Sequence, residues 1–332
     1  MMKRGLSFVF AVLGVLFLAG SAVARTAPGV GLHRMTLPDP IGGKPMQGMV
    51  FYPSTQVTQR SGIGPYMVDG VWEAPPEPGR HALIVISHGH LGSMLGHHDL
   101  ATSLVRGGYV VASLTHAGDS SQDRSRIGTQ DLFVGRPRQL SSFIDVLLAD
   151  PGISSLIDES KIGACGFSMG GYTVLAMAGA QPNFTLIDDY CLRPHFLDLC
   201  DIKQTIRSYR APQDGLADRR VKAVVAMAPF DAFFGRAELA AITCPALLFS
   251  AEKDQNIYPG EYIEHVHNSL PTGSVYKTIP GAGHFVFLAV CSPEQALQWP
   301  DLCQDPAGVD RGKVHAEIFQ DIISFFDSKL PR

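Results

Sequence analysis

Apolar runs of strand length alternate with helical patterns along most of this chain, and this alternation constrains the fold more than any other feature. A run in which nearly every residue is apolar is typical of a parallel strand buried on both faces. The predicted strands of this kind are residues 82–86, 109–114, 162–167, 221–228, 246–250 and 275–279. The predicted helices are residues 98–106, 138–148, 169–180, 260–268 and 315–328. This alternation predicts an α/β fold, with a mostly parallel sheet covered by helices on both faces.

Three segments depart from that alternation. Residues 33–37 and 46–52 predict two early strands around a Pro/Gly turn, and residues 54–79 are rich in Pro, Gly and Ser and predict a loop. Residues 181–220 carry Asp, Arg, Pro and Cys without a clear period, so we expect a small cap-like insertion above the sheet. Residues 25–332 are therefore expected to form one domain.

The N-terminus has the pattern of an export signal. The basic pair Lys3 and Arg4 precedes an apolar run at residues 6–18, and residues 22–24 (Ala-Val-Ala) supply the small side chains that a signal peptidase reads. We expect residues 1–24 to be a signal peptide and the mature chain to begin at Arg25. The alternative is an uncleaved anchor, although the run is shorter than the ~20 residues that span a bilayer. The expected location is periplasmic or secreted, without stable membrane association after cleavage.

The overall charge argues against one class of partner. The formal net charge is −4, and 17% of the residues are charged. A nucleic-acid-binding domain usually carries a strongly basic face. We therefore expect a small-molecule substrate and no nucleic-acid partner.

The six cysteines fall into two groups. Cys165 and Cys244 lie in apolar stretches, residues 162–167 and 244–249, that are typical of buried strands, and both are expected to be small core residues. The other four are close in sequence in two pairs, Cys191 with Cys200 and Cys291 with Cys303. Oxidising surroundings allow bridges among these four, in three possible connectivities. Local pairing is favoured because each short segment can close on itself without crossing the domain.

Residues 166–170 contain the strongest chemical motif of the chain, Gly-Phe-Ser-Met-Gly. The pattern G-x-S-x-G between a buried strand and a helix is typical of a nucleophilic serine on a sharp turn. Glycines on both sides keep side chains from colliding there, and the helix N-terminus favours negative charge. The motif predicts Ser168 as the nucleophile; the alternative is a chance match in a chain with 34 glycines.

A nucleophilic serine needs a base and a group that orients the base. His284 follows the last predicted strand in a Gly-Ala-Gly-His-Phe loop, and Asp254 follows the strand before it. The order Ser, Asp, His along the chain is that of the α/β-hydrolase fold. We therefore predict a triad of Ser168, Asp254 and His284 on that fold, with Asp231 as the competing acid.

The oxyanion formed on attack needs backbone N–H donors. The turn after residues 82–86 is where such folds supply one donor, and the residue after the nucleophile supplies the other. We assign these donors to His90 and Met169. A rival hypothesis is a metal site, because histidines and one aspartate crowd this region: His88, His90, His97, His98 and Asp99. Adjacent residues on a helix point in different directions, so the cluster is a poor ligand set and no metal is expected.

Several further stretches, taken together, resemble the exported dienelactone-hydrolase-like proteins, relatives of the platelet-activating-factor acetylhydrolases. They are residues 87–89 (Ser-His-Gly), 98–101 (His-Asp-Leu-Ala), 108–111 (Gly-Tyr-Val-Val), 115–119 (Thr-His-Ala-Gly-Asp), 166–171, Asp254, His284, Cys291, Cys303 and 305–311 (Asp-Pro-Ala-Gly-Val-Asp-Arg). True dienelactone hydrolases use a cysteine nucleophile, whereas this chain has Ser168. The resemblance therefore implies ester hydrolysis rather than lactone hydrolysis.

These inferences predict a serine carboxylic-ester hydrolase that needs no cofactor and acts on short to medium acyl esters. The residues expected to contact the substrate lie at the catalytic edge: Leu91, His116, Asp119, Phe230 and Phe285. For His116 and Asp119, a structural turn is an equal alternative. An amidase, thioesterase or lactonase would share the triad. Two alternatives from other classes are a metal-dependent hydrolase and a catalytically silent binding protein.

Overall fold

A computed structural model of the chain describes residues 27–193 and 198–331, without the side chains at positions 261 and 262. The predicted signal peptide and the expected start at Arg25 lie outside the described residues. Along the described ranges, no helix combines the length and the apolar character needed to cross a membrane.

A nine-stranded sheet forms the centre of the molecule, in the order β11-β10-β9-β8-β6-β7-β2-β1-β5. The strands are β1 (Gly29–Leu37), β2 (Met46–Ser54), β3 (Arg60–Ile63), β4 (Tyr66–Asp69), β5 (Val71–Trp72), β6 (His81–Ser87), β7 (Val110–Thr115), β8 (Ile157–Phe167), β9 (Val221–Met227), β10 (Ala246–Ala251) and β11 (Val275–Ile279). The six strands from β11 to β7 pair in parallel, whereas β2 joins β7 antiparallel. The six apolar runs thus form the parallel part of the sheet, which confirms the predicted α/β class.

Helices cover both faces of this sheet. They are α1 (His98–Arg106), α2 (Gln130–Ala149), α3 (Pro151–Ser154), α4 (Met169–Ala178), α5 (Ile187–Tyr190), α6 (Lys203–Arg207), α7 (Arg236–Leu239), α8 (Glu264–Ser269), α9 (Pro293–Gln298), α10 (Pro300–Cys303) and α11 (Arg311–Lys329). One apolar core lies under α2, α4 and the cap, and the other under α1 and α11. On α11, five large apolar side chains are buried, each worth about 1.5–3 kcal/mol: Ile318, Phe319, Ile322, Phe325 and Phe326.

Two helices begin earlier than the sequence pattern predicts. Helix α2 starts at Gln130, eight residues before the predicted start, and Pro137 lies inside it. An interior proline costs about 3 kcal/mol, but the added turns bury Leu132 and Phe133 and offset that cost. Helix α11 starts at Arg311 because the side chain of Asp310 accepts the Lys313 N–H and caps the first turn.

The predicted loop at residues 54–79 is wrong in part, because it contains a hairpin and a short strand. Strands β3 and β4 pair antiparallel around a two-residue Gly-Pro connection, in which Gly64 has φ +56°. Strand β5 adds to the sheet beside β1. Only Ile63 and Val68 of the hairpin are buried, so its sequence lacks the apolar alternation that reveals a strand.

The cap-like segment at 181–220 is polar outside and apolar beneath. Its described residues include the buried large apolar side chains Phe184, Ile187, Tyr190, Leu199, Ile206 and Leu216. Phe184 packs on Phe133 of α2 and on Phe233, and Tyr190 packs on Phe230, which like Phe233 follows β9. Ion pairs such as Arg207–Asp188 lie on its outer side. The segment is therefore a packed part of the core and not only a polar cover.

Both predicted local disulfides are present. Cys191 pairs with Cys200 in the cap, and Cys291 pairs with Cys303 in the segment of α9 and α10. The two bridges close loops with sequence separations of 9 and 12 residues. Both remaining cysteines are free thiols: Cys165 is buried in β8 as expected, whereas Cys244 is only partly buried and lies two residues before β10.

Candidate active site

Ser168 stands on a strained turn between β8 and α4. Its backbone has φ +54° and ψ −117°, a conformation that costs a non-glycine residue of order 1–3 kcal/mol. The flanking glycines are sterically required, because a Cβ at Gly166 would lie 2.1 Å from the Gly170 oxygen. A Cβ at Gly170 would lie 1.9 Å from the Ser87 oxygen. The turn is fixed from both sides, since the Ser168 N–H donates to the Met227 oxygen at 2.9 Å.

The structure brings Ser168, His284 and Asp254 together. Nδ1 of His284 lies 2.7 Å from Oδ2 of Asp254, and Nε2 lies 3.1 Å from the Ser168 hydroxyl oxygen. With the Nδ1 proton donated to the carboxylate, Nε2 presents a lone pair to the hydroxyl. The arrangement can therefore remove the proton of Ser168, which is the chemistry of an activated nucleophile.

Backbone donors hold the carboxylate of Asp254. Its Oδ1 accepts the N–H groups of Asn256 and Ile257, each at 2.8 Å. Its second oxygen accepts from His284, so the buried carboxylate has three donors. A carboxylate fixed in this way can fix the ring of the histidine that donates to it.

The competing acid, Asp231, has a different environment. Its side chain is also buried, but neither carboxylate oxygen has a hydrogen-bond partner on another described residue. Burial raises the pKa of Asp231 to about 7, although the charge of Arg193 opposes that rise. The structure therefore pairs His284 with Asp254, and Asp231 makes no hydrogen bond to His284 through its carboxylate.

Three side chains hold the segment after His284; the sequence analysis named His97 and Asp99 only as members of the rival metal cluster and did not name His315. His97 lies 3.0 Å from the Phe287 carbonyl oxygen through Nδ1, and His315 lies 2.7 Å from the Val286 oxygen through Nε2. Nδ1 of His315 lies 2.8 Å from Oδ2 of Asp99. Burial raises the pKa of Asp99 and the contact with His315 lowers it, and the net result is a lowered pKa. The partners are far apart in sequence, so no local motif reveals them.

Residues 88–91, which include the predicted donor His90 and are called the oxyanion turn below, lie against the turn around Ser168, called the serine turn. A Cβ at Gly89 would approach the Phe167 ring to 3.0 Å, and a Cβ at Gly170 would lie 2.8 Å from the His88 oxygen. His90 follows in this turn, and Met169 is the first residue of α4. These contacts place the two predicted donor residues on touching segments; their action on an oxyanion stays a prediction.

The five predicted substrate contacts fall into two groups. Leu91 and Phe285 are partly exposed, and the Phe285 ring centroid is 5.3 Å from that of His284. The other three, Phe230, His116 and Asp119, are at most 1% exposed. The Phe230 ring is enclosed by other aromatic rings, and His116 bonds to Ser87 and Gln139. For His116 and Asp119, the structure favours the structural alternative.

Both ring nitrogens of His88, which belongs to the rival metal cluster, are occupied by other contacts. Nδ1 of His88 is 2.6 Å from the Gly89 oxygen, and its Nε2 accepts the His116 N–H at 3.0 Å. Burial lowers the pKa of His88 to about 3 and that of His97 to about 4, so both rings are neutral. In the part of the chain that the structure describes, no three His, Cys, Asp or Glu side chains are placed to hold a metal ion.

Comparison with known proteins bears on the fold. No protein-family model matches the chain, and no curated protein matches it either. A ferulic acid esterase from Streptomyces cinnamoneus is similar over 93% of this chain and 92% of its own, with a TM-score of 0.61 and 19% identity. A puromycin-hydrolyzing peptidase from Mycobacterium tuberculosis is similar over 90% of this chain, with a TM-score of 0.56 and 14% identity.

The chain spans only 39% of that peptidase. None of these matches confirms the resemblance to the exported dienelactone-hydrolase-like proteins, which stays a prediction. Identities this low carry information on fold alone. Together with the strand order, they show that this chain has the α/β-hydrolase fold.

Proposed function

We propose that the chain is a serine hydrolase that cleaves carboxylic esters through an acyl-enzyme. The observation that carries the proposal is the chain of hydrogen bonds from Asp254 through His284 to Ser168. Ser168 lies on the turn that immediately precedes helix α4, at the N-terminus of that helix. A fixed acid, a base and a nucleophile in hydrogen-bond reach are the parts that acyl transfer needs. The chain's own residues supply every step, so no cofactor is proposed.

The reaction begins when the Ser168 oxygen attacks the ester carbonyl carbon and its proton moves to Nε2 of His284. The imidazolium is stabilised by Asp254, and the oxyanion accepts hydrogen bonds from the His90 and Met169 N–H groups. The bond to the alcohol oxygen then breaks, and His284 returns the proton to that oxygen. Water deprotonated by His284 attacks the acyl carbon, and Ser168 leaves with the proton.

The substrate class rests on the surroundings of the triad. Leu91, in the predicted oxyanion turn, and Phe285, beside His284, present partly exposed apolar surface, whereas Phe230 and the apolar underside of the cap are buried. Each methylene that fits an apolar pocket contributes about 1 kcal/mol until space is exhausted. Short to medium acyl chains therefore fit better than long ones. The printed names of the two structural neighbours, an esterase and a peptidase, agree with a hydrolase and leave the ester preference to be tested.

A fluorophosphonate probe tests the nucleophile. One probe should add to Ser168, and Ser168→Ala should abolish labelling and lower ester hydrolysis by about 10³-fold or more. Ser155→Ala is the matched control, because Ser155 is exposed and lies before β8, at the opposite end of that strand. Full labelling of the Ser168→Ala protein would refute the proposal, as would hydrolysis abolished by a chelator in the wild type.

A panel of nitrophenyl esters from acetate to palmitate tests the acyl preference, with matched thioester, lactone and anilide substrates. We expect the highest kcat/KM at short to medium esters and no activation by emulsions. A strong preference for long-chain emulsions, or for an amide over its ester, would redirect the substrate assignment while leaving the serine mechanism in place.

We also propose that the protein is exported. Two disulfides fit a compartment with oxidising conditions, as found in the periplasm or outside the cell. Mass analysis of protein from an exported fraction should find a chain that begins at Arg25. A cytoplasmic protein with four free thiols in place of the bridges would contradict the proposal.

A further inference from the structure

A buried ion pair lies directly behind the predicted oxyanion turn and takes no part in the triad. Asp119, in the loop after β7, and Arg136, in α2, are each 1% exposed. Nη1 of Arg136 is 2.5 Å from Oδ2 of Asp119. Replacement of a buried ion pair by apolar residues often leaves the stability of a protein unchanged or increases it. We therefore looked for a role of this pair other than stabilising the fold.

Arg136 connects the two segments that carry the predicted oxyanion donors. Its Nη2 donates to Oγ of Ser87 at 3.2 Å and to the His88 carbonyl oxygen, at the start of the oxyanion turn. Its Nε donates to Oγ1 of Thr173 at 3.2 Å, in the nucleophile helix α4. The guanidinium has a planar fork of fixed donors, so it sets the distance between the segments that it joins.

The contact to the helix reaches the second donor residue as well. Thr173 lies one turn after Met169, and its hydroxyl donates to the Met169 carbonyl oxygen at 2.9 Å. The chain of contacts therefore runs from His88 through Arg136 and Thr173 to Met169. Each link is a hydrogen bond between buried groups, where geometry is held more tightly than in water.

Asp119 holds the other half of the turn. Its Oδ1 accepts the Leu91 N–H at 3.1 Å and lies 2.6 Å from Nδ1 of His90. One carboxylate thus contacts the residues on both sides of the His90–Leu91 peptide. Leu91 has φ +58°, a left-handed conformation that a leucine adopts only when its surroundings impose it.

The pair is charged, which makes these contacts strong. Burial would raise the pKa of Asp119, but the adjacent charge of Arg136 and the contact with His90 bring it well below its usual range. The carboxylate is therefore ionised throughout the neutral range, and its hydrogen bonds are charge-assisted.

We propose that Asp119 and Arg136 are positioning residues for the transition state: they hold residues 88–91 against the start of α4 so that the N–H groups of His90 and Met169 converge on one oxyanion. This inference rests on the proposed function. Neither side chain touches the substrate, so ground-state binding should be nearly independent of the pair. Its loss should appear where charge develops, in kcat and in the affinity for a tetrahedral analogue.

The test is Asp119→Asn, which keeps an acceptor for the Leu91 N–H and removes the charge that Arg136 needs. Loss of one oxyanion donor costs about 10²–10³-fold in kcat, and a displaced donor should cost part of that, about 10–100-fold. We expect such a fall in kcat on nitrophenyl butyrate, a KM within about threefold of the wild type, and a boronic acid inhibitor weakened in parallel with kcat/KM.

Asp218→Asn is the matched control. Asp218 is a largely buried carboxylate that pairs with Arg220 at 2.6 Å and accepts from Ser141, before β9 and away from the serine turn. It should lose stability and keep kcat. If Asp119→Asn does not fold, Arg136→Lys replaces it, because lysine keeps the charge but cannot bridge Ser87, His88 and Thr173.

Different results would contradict the proposed serine hydrolase function and the positioning role of Asp119 and Arg136. If the wild type neither labels with fluorophosphonate nor hydrolyses the ester, the proposed function fails. If the wild type is active and the variant keeps its kcat, the positioning role is overturned. It is overturned equally if KM alone rises, if boronic acid affinity is unchanged, or if Asp218→Asn lowers kcat as much.

Discussion

Asp254 and Asp231 follow neighbouring parallel strands, β10 and β9, and both side chains are at most 3% exposed. The two carboxylates nevertheless differ in the number of hydrogen-bond donors that face them. The carboxylate of Asp254 accepts from two backbone N–H groups and from His284, whereas the carboxylate of Asp231 accepts from no other described residue. The comparison teaches that burial at this edge of the sheet does not by itself suit a carboxylate to the predicted acid role. Asp254 differs from Asp231 in the donors that face its charge.

The largest expected effect on kcat comes from replacing Asp254, the acid of the proposed triad. An Asn at the true acid presents the wrong group to the histidine, a change that costs about 10⁴-fold in kcat in a related triad. Asp254→Asn should therefore lose about 10⁴-fold in kcat on a butyrate ester, and Asp231→Asn should stay within about threefold. Steady-state kinetics on both purified variants measures this. The reverse order of losses would transfer the acid role to Asp231.

The next effect concerns stability and pH. The folded-state pKa of Asp231 is raised to about 7 from an ordinary 3.8, so the folded protein keeps a proton that the unfolded chain releases. The contribution of Asp231 to the free energy of unfolding should therefore fall as pH rises from about 4 to about 7, by up to about 1.4 kcal/mol per pH unit, and change no further above that.

Asp231→Asn removes the titrating group, so the difference in free energy of unfolding between variant and wild type should grow in favour of the variant over the same pH window. Urea unfolding at pH 4, 5.5 and 8 measures it, with Asp218→Asn as the control. Because the pKa of Asp218 is lowered by Arg220 and Ser141 despite burial, its contribution should be lost on acidification instead. Parallel curves for wild type and Asp231→Asn would contradict the environment described for Asp231.

The surroundings of Asp231 and the segment after His284 also differ in the disulfide bridge that lies near each of them. Asp231 lies near Arg193 of the cap, which Cys191–Cys200 closes, and the segment after His284 leads into the loop closed by Cys291–Cys303. A bridge over a loop of this length contributes up to about 3 kcal/mol. Cys291→Ser with Cys303→Ser should lower both stability and kcat, and the cap pair should lower mainly stability. Equal losses of kcat in the two double variants would remove the distinction.

The smallest effect sharpens the comparison with a third carboxylate. Asp99 contacts His315, which in turn bonds to the Val286 carbonyl oxygen, and also accepts the Val290 N–H at 3.4 Å. His315→Gln should shift the loop of His284 slightly and lower kcat about 3–10-fold, because small displacements of a catalytic group are costly. Gln320→Ala, an exposed change on the same helix, is the control. A loss as large as that of Asp254→Asn would place His315 in the reaction itself.

Sequence patterns predicted those parts of the molecule whose signal is local. The parallel strands appear as unbroken apolar runs, and Ser168 sits in a short motif with a fixed context. The β3–β4 hairpin was missed because only two of its side chains are buried, and the start of α2 because Pro137 resembles a helix boundary. Arg136 and His315 could not be found, since their partners lie up to 216 residues away and leave no periodic trace.

The distribution of the six cysteines has a consequence for chemical durability. Exchange among disulfides begins when a thiolate attacks a bridged sulfur. Burial raises the pKa of the Cys165 thiol far above its usual range and that of Cys244 to about 11, so both remain protonated at neutral pH. Among the described residues these two are the free cysteines, and the folded chain therefore holds no internal nucleophile for scrambling its own bridges. Each bridge can be opened only by a reagent that arrives from outside.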